Sequence, residues 1–169
     1  VSQFNASELT DLGVPRVQVF PLPLPKPMLE VPPDPLVTGK FNRDLATWLF
    51  VGRLAPNKRV EDLIEAFAWY QRALNPFSRL LIVGSERSCP RYAAMLNLLV
   101  GDLDVPNVCF EGFASPGGLT AYYRVADAYL STSAHEGFGL PLVEAMYHGV
   151  PVIARATGGT PEAMGDGGV

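Results

Sequence analysis

The amino-acid sequence predicts an α/β fold built on a doubly wound parallel sheet, and three observations carry that prediction. From about Thr47 onward, short apolar runs alternate with stretches of helical period. The runs are apolar throughout rather than alternating, the pattern of strands buried on both faces. The 169 residues, 48% hydrophobic and 18% charged, suit one domain with a sizeable core.

Taken in order, Asn5–Gly13 reads as one short helix ending at Gly13, followed by an extended piece over Arg16–Phe20. Eight of the 16 prolines then fall between Pro15 and Pro35. Proline lacks a donor and fixes φ, so no helix is expected there, only an extended linker. Residues 1–40 are thus expected to be the remnant of a preceding domain and a linker, with the folded unit over 41–169. Strands are predicted at Trp48–Val51, Leu80–Val83, Val108–Phe110, Ala128–Leu130 and Val150–Ala154. The first helix carries Val60, Leu63, Ile64, Phe67, Tyr70 and Leu74 on one stripe. Tyr92, Met95, Leu96, Leu99 and Leu103 mark the second, and Leu119, Tyr122 and Val125 the third. A fourth is predicted over Pro141–His148, with Leu142, Ala145 and Met146 inward.

Charge and composition exclude several functions. Thirteen Lys and Arg against 17 Asp and Glu give a net charge of −4, a poor match to a phosphate backbone, so no nucleic-acid partner is expected. No apolar run approaches the ~18 residues of a membrane span, and the polar start is unlike a secretion signal. Cys89 and Cys109 are too few for a disulfide framework or zinc site and read as reduced thiols of a cytoplasmic protein. The chain lacks an initial Met and ends in a turn-rich stretch, and is expected to be part of something longer.

Open parallel sheets bind ligands beyond the carboxyl ends of their strands. Here those ends lead into Gly52-Arg53, Gly84-Ser85, Glu111-Gly112, Ser133–Gly139 and Arg155–Gly159, the glycine-rich parts of the chain. Gly137 and Gly139 sit between a strand and a helix, with Pro141 suited to the first helical position. Such a turn lets a ligand approach the backbone and meet the positive end of the helix, which favours an anion. Glu136 precedes the turn and Glu144 lies roughly 6 Å into the helix, within reach of a ribose if a diphosphate caps it. Glu136 would face the opposite side, where a transferred group lies. Arg53 and Lys58 would enter the same crevice from the neighbouring strand and neutralise a departing diphosphate. Arg59 reads as surface, and His135 and His148 lack a metal-ligand or nucleophile pattern. There is no Walker loop and no nucleophile elbow.

Taken together, Ser133-Ala-His-Glu-Gly-Phe-Gly-Leu-Pro-Leu-Val-Glu-Ala-Met, Gly149-Val-Pro-Val-Ile-Ala and Gly158-Gly159-Thr-Pro-Glu162 resemble the signature of the retaining nucleotide-sugar glycosyltransferases of family 4, glycosyl transferases group 1. The family's Glu-x7-Glu motif falls on Glu136 and Glu144. Val51-Gly-Arg-Leu-Ala-Pro-Asn-Lys resembles its donor-domain entry, and Ser2-Gln-Phe-Asn with Val17–Pro25 the segment leading out of its other domain. The resemblance implies one Rossmann-like half of a two-domain GT-B type fold, with residues 41–169 as the donor-binding domain. It implies that Gly52, Arg53 and Lys58 hold the diphosphate and that the backbone of Gly137, Phe138, Gly139 and Leu140 lines the phosphates and sugar. Glu136 would contact the transferred sugar and Glu144 the ribose. Glu136, Arg53 and Lys58 would then be the catalytic set, with no metal and no cofactor. The partners implied are a nucleoside-diphosphate sugar and the amino-terminal acceptor domain. Arg59 stands where many members have Gly. A chain of this extent is expected to bind donor without turnover.

Two rivals remain at this level. A nicotinamide-dependent oxidoreductase domain would need a third small residue where Leu142 stands and an acid where Arg155 stands. A non-catalytic sugar-nucleotide binding module would share every motif.

Overall fold

A computed structural model of the chain describes residues 2–20, 24–41 and 44–167. Pro21 and Pro23 of the proline-rich segment, and the final Gly168 and Val169, lie outside the described residues. Three helices precede the sheet: α1 (Gln3–Asp11), α2 (Lys26–Leu29) and α3 (Pro35–Lys40). Helix α1 starts earlier than expected because Ser2 caps it, its Oγ accepting from Asn5 N at 3.2 Å. Gly13 follows its end at φ +81°, a conformation suited to glycine.

Helices α2 and α3 contradict the expectation of a helix-free linker. Pro27 and Pro35 each stand in a first turn, where no intrahelical donor is needed. Asp34 caps α3 through a bond from Leu36 N at 2.9 Å. Helix α3 is tied down: Asp34 N donates to Gly117 O at 3.0 Å and Lys40 Nζ reaches both oxygens of Glu111.

Among the described residues five parallel strands form one sheet, in the order β3-β2-β1-β4-β5. They are β1 (Ala46–Val51), β2 (Ser78–Val83), β3 (Val108–Gly112), β4 (Ala128–Ser131) and β5 (Val152–Ala154). Between them run α4 (Val60–Ala73), α5 (Pro90–Asp102), α6 (Pro116–Val125) and α7 (Leu140–Tyr147), and α8 (Thr160–Met164) follows β5. The predicted strands are all present, but β5 begins at Val152 rather than Val150. Leu140 opens α7, so Pro141 is its second residue rather than its first.

Consecutive strand residues feed opposite faces, as the pleat requires. Phe50, Leu80 and Ile82 pack with Leu63, Ile64, Phe67 and Leu96 of α4 and α5. Leu49, Leu81 and Val83 pack on the other face with Tyr122, Tyr123, Leu142 and Ala145 of α6 and α7. Two predicted stripe residues fall outside these cores. Leu74 lies just past α4 and is exposed, and Met95 faces solvent on α5. The chain builds outward from β1 to β3, then returns to lay β4 against the other side of β1 (Trp48 opposite Ala128). Open α/β sheets bind ligands at such a reversal, which makes the gap beyond β1 and β4 the candidate crevice.

Candidate functional site

Two loops meet at the reversal. A 3₁₀ turn over Pro56–Lys58 follows β1, and residues 132–139 follow β4. Ala134 N donates to Asn57 O at 2.9 Å, and Thr132 Oγ1 to Arg59 O at 2.7 Å. This docking brings Lys58 Nζ to 2.5 Å from Glu136 Oε1. The two side chains are only 16% and 13% exposed, so water screens the pair far less than it would at the surface.

Glycines allow the second loop to be this compact. Gly139, at φ +86°, is the residue before α7, and no side chain caps that helix. Behind the loop, a Cβ on Gly158 would lie 2.3 Å from Glu136 O, and one on Gly159 would lie 2.4 Å from Gly137 O. Gly159 N instead donates to Glu136 O at 2.7 Å, and Thr157 Oγ1 to Ser133 O at 2.8 Å. The Gly158-Gly159 pair is therefore a packing requirement of the loop that carries Glu136.

Arg53 is exposed and makes no hydrogen bond or ion pair among the described residues. With Gly52, Gly84, Ser85, Phe113 and Leu119 it lines a cavity of about 200 Å³ beyond the ends of β1 and β2. The floor is tight: a Cβ on Gly84 would meet Gly52 O at 1.9 Å.

Glu144 occupies different ground. It is half-buried on α7, and its Oε2 accepts from Tyr123 Oη at 2.8 Å. Burial pushes its carboxyl above the ordinary range, and the bond from Tyr123 pulls partly back. Glu144, Tyr123, Thr120 and His148 share a cavity of about 80 Å³ with Leu119, which also lines the cavity that holds Arg53. Burial, then the nearby Arg124 charge, lowers the His148 pKa, and its ring stacks on Tyr123 at 5.3 Å.

The structure thus joins Lys58 to Glu136, and sets Arg53 and Glu144 on two cavities that share Leu119. Phe138 and Leu140 are half-buried beside Gly139. Gly137 faces α1, where a Cβ would stand 3.3 Å from Asn5 Oδ1. The start of α1 lies on this loop: Gln3 N donates to Glu162 Oε2 at 2.7 Å, and Phe4 packs edge-on to His135. Arg59 is exposed and left-handed at φ +50°, paired with Asp62. Tyr123 was not singled out in the sequence, where it stands one position beside the apolar stripe of Leu119, Tyr122 and Val125. Among the described residues no cluster of His, Cys, Asp or Glu is arranged to hold a metal, and no helix is long and apolar enough to cross a membrane.

Comparisons with known proteins point the same way. A mannosylfructose-phosphate synthase of Agrobacterium fabrum is 32% identical over 137 residues, covering 78% of this chain and 30% of that protein. A D-inositol 3-phosphate glycosyltransferase of Actinosynnema mirum is 37% identical over 131 residues, covering 73% of this chain and 31% of its own length. The chain therefore spans about a third of these relatives. Among solved structures, the sucrose-phosphate synthase of Thermosynechococcus elongatus superposes with a TM-score of 0.79 at 27% identity, covering all of this chain and 43% of that one. Anabaena HepE, solved with UDP and glucose, gives 0.81 over 95% of this chain and 44% of its own, at 24% identity, which shows the shared GT-B type fold. The signature of the family described as glycosyl transferases group 1 matches residues 38–169, a span that takes in the sheet, both docked loops and both glutamates. On that match the chain belongs to the group 1 glycosyl transferases.

Proposed function

We propose that this chain is the donor-binding half of a retaining glycosyltransferase that takes a sugar from a nucleoside-diphosphate sugar. The observation that carries the reading is the Lys58–Glu136 pair, set beside the uncapped start of α7 at the sheet's reversal point. An incoming diphosphate competes with Glu136 for the Lys58 ammonium. Lys58 and Arg53 then offset the charge that grows on the departing diphosphate. Glu136, released from Lys58, accepts hydroxyls of the transferred sugar. The backbone of Gly137–Leu140 lines the phosphates, and Glu144 accepts the ribose hydroxyls. The crystallised complexes of HepE with UDP and with UDP-glucose support this class of ligand.

Titration with UDP-, GDP- and ADP-sugars tests it. Binding of one nucleotide class is expected, and even millimolar affinity, about −4 kcal/mol, is measurable. Glu144→Ala should weaken it about tenfold or more. A folded chain that binds none of them would overturn the reading. Residues 1–169 supply the donor side alone, so multiple-turnover transfer by this chain would contradict its assignment as a half-site.

A further inference from the structure

The two glutamates differ in who holds them, and the holder of Glu144 has no assigned role. Tyr123 is 2% exposed, near the end of α6. Its ring is fixed between His148, stacked at 5.3 Å and 17°, and Tyr129 at 6.4 Å. A ring so held cannot swing, so its hydroxyl is a fixed point, 2.8 Å from Glu144 Oε2 and 3.4 Å from Pro141 O. A glutamate carboxyl otherwise turns freely about its last bond, because that torsion has broad wells. Oε1 accepts no hydrogen bond among the described residues. Glu144 lines a cavity that has Leu119 in common with the Arg53 cavity.

We infer that Tyr123 is a positioning residue for donor recognition: its hydroxyl clamps one oxygen of Glu144 and so presents the carboxylate edge-on to the vicinal diol of a ribose. The inference rests on the reading of Glu144 given above. A rotating carboxylate would have to be ordered at each binding event, and the clamp supplies that order in advance. Tyr123 lines the same cavity as Glu144 but is almost wholly buried, and in this role it acts through Glu144. Removing its hydroxyl leaves the ring packing in place and acts on ligand only through Glu144.

The test compares each of UDP, GDP and ADP with its 2′,3′-dideoxy form, by calorimetric titration of the chain and its variants. The unaltered chain is expected to favour the hydroxylated nucleotide by about tenfold or more. Tyr123→Phe should weaken binding of that nucleotide about fivefold and leave the dideoxy form unchanged. Partial unfolding would weaken both equally, so the ratio isolates positioning. 4-Fluorophenylalanine at position 123, which fills the hydroxyl's place without a donor, should lose the same preference and serves if Tyr123→Phe does not fold. Full preference retained in Tyr123→Phe would overturn the inference. If Glu144→Gln still removes that preference, the ribose reading stands without it. No preference in the unaltered chain would overturn both, and no binding at all would overturn the donor reading itself.

Discussion

Glu136 and Glu144 stand at the two ends of one glycine turn, yet their surroundings differ in kind. Glu136 is paired with a cation from the 3₁₀ turn after β1, 2.5 Å away. Glu144 is held by a neutral hydroxyl in a half-buried setting that raises its pKa. On the donor reading proposed above, the first is a charge that a ligand's own charge can displace, and the second is an acceptor kept in shape before the ligand arrives. A shared motif spacing thus conceals two physical devices, one electrostatic and one geometric.

Three sets of variants probe the contrast between the two glutamates. The largest effect is expected from Gly158→Ala, whose Cβ would press on the backbone of Glu136 at a left-handed position. Chemical denaturation should show a loss of about 2–4 kcal/mol. Donor affinity should fall while discrimination for ribose hydroxyls survives, because Glu144 lies outside the strained loop. Loss of both together would mean that the two ends are one unit.

Next comes the ion pair. Lys58→Met or Glu136→Gln alone leaves a partly buried group unmatched and should cost about 1–3 kcal/mol. The double variant should cost less than the two combined, by about 1 kcal/mol or more in a stability cycle. Strict additivity would show that the pair is contact without coupling.

The smallest effect concerns Glu144 and runs the other way. Its folded pKa is raised, so between the ordinary carboxylate range and that raised value the native state binds more protons than the unfolded chain. Stability therefore falls as pH rises through this window. Glu144→Gln keeps an acceptor for Tyr123 without the charge, and should be more stable at neutral pH by less than about 1 kcal/mol. Thermal unfolding followed from neutral to mildly acidic pH should show the gap closing. A less stable variant at neutral pH would mean that the charge is compensated by groups other than Tyr123.

Much of this was legible in the sequence, for a physical reason. The Leu80–Val83 run has no polar residue to face water, so a doubly buried strand is its only economical state. Gly139 before Leu-Pro announced a helix start to within one residue. Long-range pairing was harder to read. Nothing local says that β4 returns to β1: the rule for strand ends put Lys58 and Glu136 in one crevice, but their direct contact was not read from the sequence. Tyr123 looked like one more apolar core residue, because its hydroxyl matters only once α7 is beside it. Prolines misled in the opposite sense: Pro27 and Pro35 signal extended chain in isolation, but at a first turn they cost a helix nothing. Leu74 and Met95 kept the helical period and still faced solvent, since period alone does not say where a helix stops or how wide its buried face is.

The return of β4 to β1 also bears on how the molecule assembles. Trp48 and Ala128 are paired although α4, β2, α5, β3 and α6 all intervene in sequence. Contacts of such long sequence separation form slowly, because the loop they close must be ordered first. The local helices and the β1–β2 pair can form without the crevice, but the crevice cannot form without the β1–β4 closure. On the proposed donor reading, nucleotide binding during refolding would therefore report the closing of the sheet.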